Sequence, residues 1–151
     1  ALKLNSPSAF VCSRQKLETI KIDKIYGDVS NGAYLLKSSN NPKVTIMASG
    51  SELSLALKTA KELEKENISV NIVSVPCYDL LVQQNQEYIN KIIDKKSIIF
   101  ALEASIGLEY YKYANIVIGM NTFGASGNAN DLFNYFGFTV EKLKLRIIKE
   151  L

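Results

Sequence analysis

Short apolar runs separated by polar turns fill the first third of the chain. Residues 9–12 form an apolar run after Pro7 and predict a strand, which would need a sheet from elsewhere in the protein. Residues 32–37 and 43–48 predict two further strands. Because only a short polar segment containing Pro42 separates these two, we expect them to form an antiparallel pair.

A helix is predicted to follow the strand at residues 43–48. Ser49 and Glu52 have the capping-box spacing, in which the two side chains bind the free N–H groups of the first helical turn. Apolar residues then recur at helical spacing: Leu53, Ala56, Leu57, Ala60 and Leu63. Residues 68–75 predict a strand buried on both faces, so strand, helix and strand indicate a right-handed crossover with parallel pairing.

The second half of the chain repeats this alternation. Strands are predicted at 97–102 and 115–119, and helices at 88–93, 108–113 and 131–136. Gly137 is predicted to end the helix at 131–136, and Thr139 to cap a last helix that ends near Leu151. The pattern predicts an α/β fold, a three-layer α/β/α sandwich with a mostly parallel five-stranded sheet and one antiparallel edge strand. We expect the compact domain to begin near Gly32, with residues 16–31 as a linker.

Composition narrows the class of protein. A chain of 151 residues with 47% hydrophobic and 22% charged residues fits one globular domain. The net charge of +3 is too small to indicate a nucleic acid partner or a membrane surface, and no apolar stretch is long enough to span a membrane. Cys12 and Cys77 are predicted to be buried or partly buried free thiols, as expected in the reducing cytoplasm.

Candidate chemistry is sparse. The chain has no histidine, which removes the commonest general base and the usual partner of cysteine in a zinc site, and we predict neither catalytic nor metal-binding residues. Glu52, Asp79, Glu103 and Glu109 are the acidic residues nearest to predicted strand ends, where open α/β sheets bind ligands. Each is more simply interpreted as a helix cap or a surface charge.

Two features could bind an anion. Residues 119–128 form a glycine-rich loop between a strand and a helix, but the loop lacks the lysine and spacing of a Walker motif. A sharp turn that needs positive φ angles and small side chains for close packing is the favoured interpretation. Arg14 directly follows the first predicted strand, where its guanidinium would suit bidentate contact with a phosphate, although an exposed arginine in a linker is ordinary.

Several segments, in this order along the chain, resemble the transketolase family. They are Ser13-Arg14-Gln15, GAY at 32–34, MASGSELSLA at 47–56, VSVPCYDL at 73–80, EA at 103–104, YKY at 111–113 and GMNTFGAS at 119–126. Ser105 stands where the family usually has glycine, and the segment between Tyr113 and Ile116 is shorter than usual. These departures affect local loop geometry and leave the resemblance intact.

The resemblance implies a division of the chain and a role for its first part. Residues 1–15 would be the tail of the pyrimidine-binding domain, 16–31 a linker and 32–151 the C-terminal domain. Arg14 would contact the phosphate of the sugar substrate, supported by Ser13 and Gln15. The longer enzyme would be a homodimer that transfers a two-carbon ketol unit between sugar phosphates in the pentose phosphate pathway.

The same resemblance implies that thiamine diphosphate and its divalent cation, magnesium or calcium, are bound by domains upstream of this chain. This piece alone would therefore be inactive. Two alternatives stay open. The chain could be a non-catalytic interaction or regulatory module with the same fold, or it could come from a deoxyxylulose-phosphate synthase or a ketoacid dehydrogenase, although Ser13-Arg14-Gln15 and VPCYDL at 75–80 favour transketolase.

Overall fold

A six-stranded mixed sheet lies at the centre of the structure, a computed structural model that describes residues 4–13, 15–20 and 25–151. Its strands are β1 (Tyr26–Gly27), β2 (Tyr34–Lys37), β3 (Val44–Ala48), β4 (Val70–Ser74), β5 (Ile98–Leu102) and β6 (Ile116–Ile118). The spatial order is β1-β2-β4-β3-β5-β6. The last four strands in this order are parallel, while β1 and β2 run antiparallel at one side.

Helices cover both faces of the sheet. Helices α1 (Gly50–Glu64), α4 (Ala129–Phe136) and α5 (Val140–Lys149) pack on one face. Helices α2 (Tyr78–Leu81) and α3 (Gln86–Ile92), with the 3-10 helix Leu108–Lys112, pack on the other. The predicted three-layer α/β/α class is confirmed, and the five predicted central strands are joined by β1, which lies in the segment predicted as a linker. Within the described ranges, no helix is long and apolar enough to cross a membrane.

The predicted antiparallel pairing of β2 with β3 is wrong. Strand β2 instead pairs antiparallel with β4, and β3 lies between β4 and β5. The short connection passes over the start of β4, where the Ser39 N–H donates to Asn71 Oδ1 over 2.8 Å and Ser39 Oγ donates to the carbonyl of Val70 over 2.9 Å. All five residues of β3 are buried, so this apolar strand belongs in the middle of the sheet, with neighbours on both sides.

The residues predicted to end α4 and to cap α5 are confirmed in these roles. Gly137 follows α4 in the left-handed conformation, with φ +86°. The Thr139 side chain accepts a hydrogen bond from the Lys142 N–H and so caps α5. Helix α4 begins at Ala129, two residues before the predicted start at Asp131.

The extended segment, residues 4–13, contains no strand in this chain, and the strand predicted at 9–12, which needs a sheet from elsewhere in the protein, stays a prediction. Phe10 and Val11 are 80% and 98% exposed. Their apolar character suits a sheet, but none of the six strands in the described residues pairs with this segment. Cys12 is exposed rather than buried, while Cys77 is half-buried, and both are free thiols.

Candidate functional site

The ends of four parallel strands define one edge of the sheet. We call this the carboxyl edge: residues 49–52 after β3, 75–79 after β4, 103–106 after β5 and 119–120 after β6. Open α/β sheets bind their ligands at this edge. Two of the four acidic residues considered from the sequence, Glu52 and Glu103, are brought together here.

Hydroxyl groups and one backbone amide hold these two carboxylates. Ser49 Oγ and the Tyr110 hydroxyl donate to Glu103 Oε2 over 3.1 and 3.3 Å. Ser51 Oγ donates to Glu52 Oε1 over 2.5 Å, and the Ala104 N–H donates to Glu52 Oε2 over 3.4 Å. The cluster therefore ties the start of α1 to the end of β5 and to the 3-10 helix that carries Tyr110.

Burial dominates the electrostatics of this cluster. Removal from water raises the pKa of Glu52, against the opposing effect of the hydrogen bonds from Ser51 and Ala104. Burial also raises the pKa of Glu103, and the neighbouring Glu52 charge adds to this effect. Burial and the Glu103 carboxylate together raise the pKa of the Tyr110 hydroxyl, which keeps that hydroxyl a hydrogen-bond donor.

The cap interpretation of Glu52 and the predicted capping box are wrong. Ser49 precedes α1 but makes no side-chain cap bond, because its hydroxyl donates to Glu103. Glu52 is buried, and its carboxylate accepts hydrogen bonds from the Ser51 hydroxyl and the Ala104 N–H. Glu103 is neither a cap nor a surface charge, since two hydroxyls bind its carboxylate.

Asp79 and Glu109 are surface charges, as the sequence suggested. Both side chains are exposed. Their backbone carbonyls accept hydrogen bonds. The Asp79 carbonyl accepts from the Gln83 side chain, and the Glu109 carbonyl accepts from the Tyr78 hydroxyl over 2.5 Å. Neither carboxylate joins the Glu52 and Glu103 cluster through a hydrogen bond in the described part of the chain.

The glycine-rich loop 119–128 packs closely at its start and is exposed beyond it. A Cβ on Gly119 would lie 2.6 Å from the Ser105 carbonyl oxygen, which also accepts from the Met120 N–H over 2.8 Å. The predicted close packing is therefore confirmed at Gly119, but the predicted positive φ angles are absent from all three glycines of the loop. Residues 121–128 are all exposed, and anion binding by this loop stays a prediction.

Arg14, the predicted phosphate ligand, lies outside the described residues, but its two neighbours lie within them. A Cβ on Gly50, at the start of α1, would lie 3.6 Å from Ser13 Oγ. Gln15 is half-buried and lines a groove of about 430 Å³ with Ser51, Ser54 and residues of α4 and α5. The residues on either side of Arg14 therefore lie against α1, beside the carboxyl edge.

Tyr110 is a member of the cluster that sequence reasoning missed. The only signal was its place in a predicted short helix soon after Glu103, and nothing in the spacing showed that the hydroxyl would turn back to this carboxylate. Its ring packs edge-on against that of Tyr78, with the centroids 5.5 Å apart. This contact positions the hydroxyl at the carboxyl edge.

Comparison with known families assigns the domain. The profile described as the transketolase-like TK C-terminal domain matches residues 32–139. The chain belongs to the transketolase family. Transketolase 1 of Vibrio vulnificus (strain YJ016) is 37% identical over 153 residues, and transketolase 1 of Candida albicans is 34% identical over 145 residues.

Solved transketolases share the fold and most of the length of this chain. Transketolase of Campylobacter jejuni is 44% identical, with a TM-score of 0.93 over 98% of this chain and 23% of its own. A Pichia stipitis transketolase in complex with xylulose-5-phosphate is 34% identical, with a TM-score of 0.77 over 80% of this chain and 18% of its own. The chain likewise spans 23% of the Vibrio relative and 21% of the Candida relative, so it corresponds to under a quarter of each.

Proposed function

We propose that this chain is the carboxyl-terminal part of a transketolase, which transfers a two-carbon ketol unit from a ketose phosphate to an aldose phosphate. The similarity to the Campylobacter jejuni enzyme across nearly the whole chain carries this proposal. Solved Pichia stipitis transketolases are complexes with xylulose-5-phosphate and sedoheptulose-7-phosphate. These ligands support sugar phosphates as the substrates. The longer protein would act as a cytoplasmic homodimer in the pentose phosphate pathway.

The described residues offer no evident site for the divalent cation of such an enzyme. They contain no group of three or more histidine, cysteine, aspartate or glutamate side chains that could hold a metal ion. The carboxylates of the buried Glu52 and the half-buried Glu103 already accept hydrogen bonds from the protein. We therefore assign thiamine diphosphate and its divalent cation to other parts of the longer enzyme and expect no catalysis from the 151-residue chain by itself.

Within this chain, Arg14 is the proposed substrate ligand. Its neighbours Ser13 and Gln15 lie against the start of α1, beside the carboxyl edge, and this supports the proposal. A guanidinium can donate two parallel hydrogen bonds to a phosphate. Arg14 would bind the phosphate and orient the sugar, while the chemical step takes place elsewhere.

Substitution of Arg14 in the longer enzyme tests this role. Loss of a charge-assisted contact of about 1.5–3 kcal/mol should raise KM for phosphorylated substrates by roughly 10- to 150-fold in Arg14→Ala. The KM for an unphosphorylated hydroxyaldehyde should not change. Lys16→Ala is the matched control, since it removes a nearby positive charge from an exposed position.

The outcomes separate the possible functions. An unchanged KM in Arg14→Ala would contradict the role of Arg14, and a longer protein without ketol transfer would contradict the enzyme assignment. A reading frame confined to this chain would favour the interaction module instead. Ketol transfer by the 151-residue chain alone, with thiamine diphosphate and magnesium supplied, would overturn the assignment of catalysis to other domains.

A further inference from the structure

Large apolar side chains are exposed beside the carboxyl edge. Ile106 and Leu108 are 61% and 67% exposed on the segment after β5, and Phe123 is 98% exposed on the loop after β6. The two segments are joined, because the Met120 N–H donates to the Ser105 carbonyl over 2.8 Å. We call these three residues the apolar rim. Clustered apolar exposure of this kind marks interaction surfaces, whereas a single exposed apolar residue is normal.

An apolar pocket lies beside Phe123. It has a volume of about 220 Å³ and is lined mainly by Ala104, Met120, Ala125, Leu132 and Phe136. Its lining contains no charged residue, and neither of the segments 104–108 and 119–128 contains one. A partner that covers this surface must therefore be apolar and uncharged where it makes contact, with a side chain that can enter the pocket.

The extended segment indicates where that partner comes from. Ser13 lies against the start of α1, so the polypeptide enters the domain beside the carboxyl edge. Phe10 and Val11, just before this point, are exposed and apolar as well. The relatives are more than four times as long as their matched part, since the chain spans 23% of the Vibrio and Campylobacter proteins. A protein of that length has further domains, and the surface of one of them can lie near residue 13.

We propose that the apolar rim and its pocket are the docking surface for the preceding part of the same longer polypeptide. This inference rests on the proposed function, because it needs a longer protein. The occupant presents an uncharged apolar surface that covers Phe123 and fills the pocket, and it reaches this edge through the extended segment. The apolar rim is then an interface between domains, beside the place proposed for the substrate phosphate.

Leu145 provides an internal comparison. It is also exposed, at 68%, but lies on α5 between Lys144 and Arg146. A lone leucine among charged residues has the character of ordinary protein surface. We therefore expect Leu145 to stay accessible in the longer protein.

Cysteine labelling tests the proposal. In a Cys12→Ser and Cys77→Ser background, Phe123→Cys and Leu145→Cys are reacted with a maleimide, in the 151-residue chain and in the longer protein. We expect position 123 to react at least about 10-fold more slowly in the longer protein, because an interface core excludes water and reagent. Position 145 should react at equal rates in both. Since both side chains are exposed, neither substitution removes core packing.

Two results would overturn the inference. Equal labelling at position 123 in both proteins would show that the rim is free. Slow labelling in the 151-residue chain that depends on its concentration would show that a second copy covers the rim instead. Hydrogen exchange of the amides at 121–127 in the unsubstituted proteins gives the same comparison independently. Neither readout needs catalysis, so protection without ketol transfer would leave the docking surface intact and refute only the proposed function.

Discussion

Ser49 and Glu103 lie at the ends of neighbouring parallel strands, and Ser49 Oγ donates a hydrogen bond to Glu103 Oε2 over 3.1 Å. Their nearness follows from the register, because Ala48 is paired with Leu102 in the residues just before them. The bond removes the Ser49 hydroxyl from the start of α1. It also brings Glu103 towards Glu52, whose carboxylate accepts from the backbone of the next residue, Ala104.

The stability of the fold should depend on the protonation of these two carboxyls. Burial raises the pKa of Glu52 and of Glu103 above the usual 4.5, so the folded state binds protons more tightly than the unfolded state. Their contribution is fully present below pH 4.5 and is lost as the pH rises through the raised values. Urea unfolding at a series of pH values should show this contribution as a fall in the free energy of unfolding above pH 4.5.

Variants isolate the source of this pH dependence. Glu52→Gln with Glu103→Gln should flatten the fall, because neither amide titrates. Glu87 provides the control: its exposed carboxylate has a pKa lowered by Lys91, so its contribution is present above pH 4.5 and is lost as the pH falls. Glu87→Gln should leave the fall above pH 4.5 unchanged. A double variant with the original slope would contradict the role of the cluster.

Elements specified by neighbouring residues could be predicted from the sequence. The five central strands follow from short apolar runs, and the cap of α5 follows from Thr139, whose bond to Lys142 spans three residues. The pairing of β2 could not be predicted from neighbouring residues. A short connection usually joins antiparallel neighbours, and only the bonds of Ser39 to the distant Val70 and Asn71 show that this one crosses a strand. No periodicity in the sequence contains that information.

The candidate site depends on the same kind of distant contact. Glu52 and Glu103 were identified as residues near strand ends, yet each looked like a cap or surface charge when considered alone. Their burial becomes evident only when β3 and β5 are adjacent in the sheet. Arg14 is the opposite case, since its role comes from the family resemblance and stays a prediction.

Gly32 should not tolerate a side chain. Its φ is +84°, and a Cβ there would lie 2.2 Å from the backbone nitrogen of Leu81 and 2.5 Å from the carbonyl oxygen of Cys77. Gly32→Ala should therefore lower the free energy of unfolding by about 2–5 kcal/mol, from backbone strain and overpacking. Gly124→Ala is the control, because no atom lies within 4 Å of its Cβ position. Equal unfolding midpoints for the two variants would refute this view of Gly32.

Substitution by valine should raise the free energy of unfolding at Thr59 and lower it at Thr45. Both are fully buried, and Thr59 Oγ1 is the buried side-chain oxygen that lacks a hydrogen-bond partner among the described residues. It lines a cavity of about 10 Å³, at the lower limit of the space that a water molecule needs. Thr59→Val should stabilise the protein by about 1 kcal/mol, since an unpaired buried hydroxyl costs about 1–3 kcal/mol.

Thr45 has a hydrogen-bond partner. Ser97 Oγ donates to the Asp94 carbonyl over 2.7 Å, so the 2.7 Å bond between Thr45 and Ser97 has the Thr45 hydroxyl as its donor. Thr45→Val should destabilise the protein by about 0.5–1.5 kcal/mol through loss of this bond. Thermal or urea unfolding of both variants measures the difference. If both variants changed the free energy of unfolding in the same direction, the Thr59 hydroxyl could not be the one without a hydrogen bond.

Helix α5 should be held on the sheet by one face of its surface. Ile147 is 2% exposed and packs with Ala56, Phe100 and other residues of the core, whereas Leu145 on the same helix faces water. Ile147→Ala should lower the free energy of unfolding by about 2–5 kcal/mol, because it removes buried methyl groups and leaves a cavity. Leu145→Ala should change it by less than about 0.5 kcal/mol. Since both variants replace a four-carbon side chain in the same helix, similar losses would mean that helix propensity, rather than packing, determines the stability of α5.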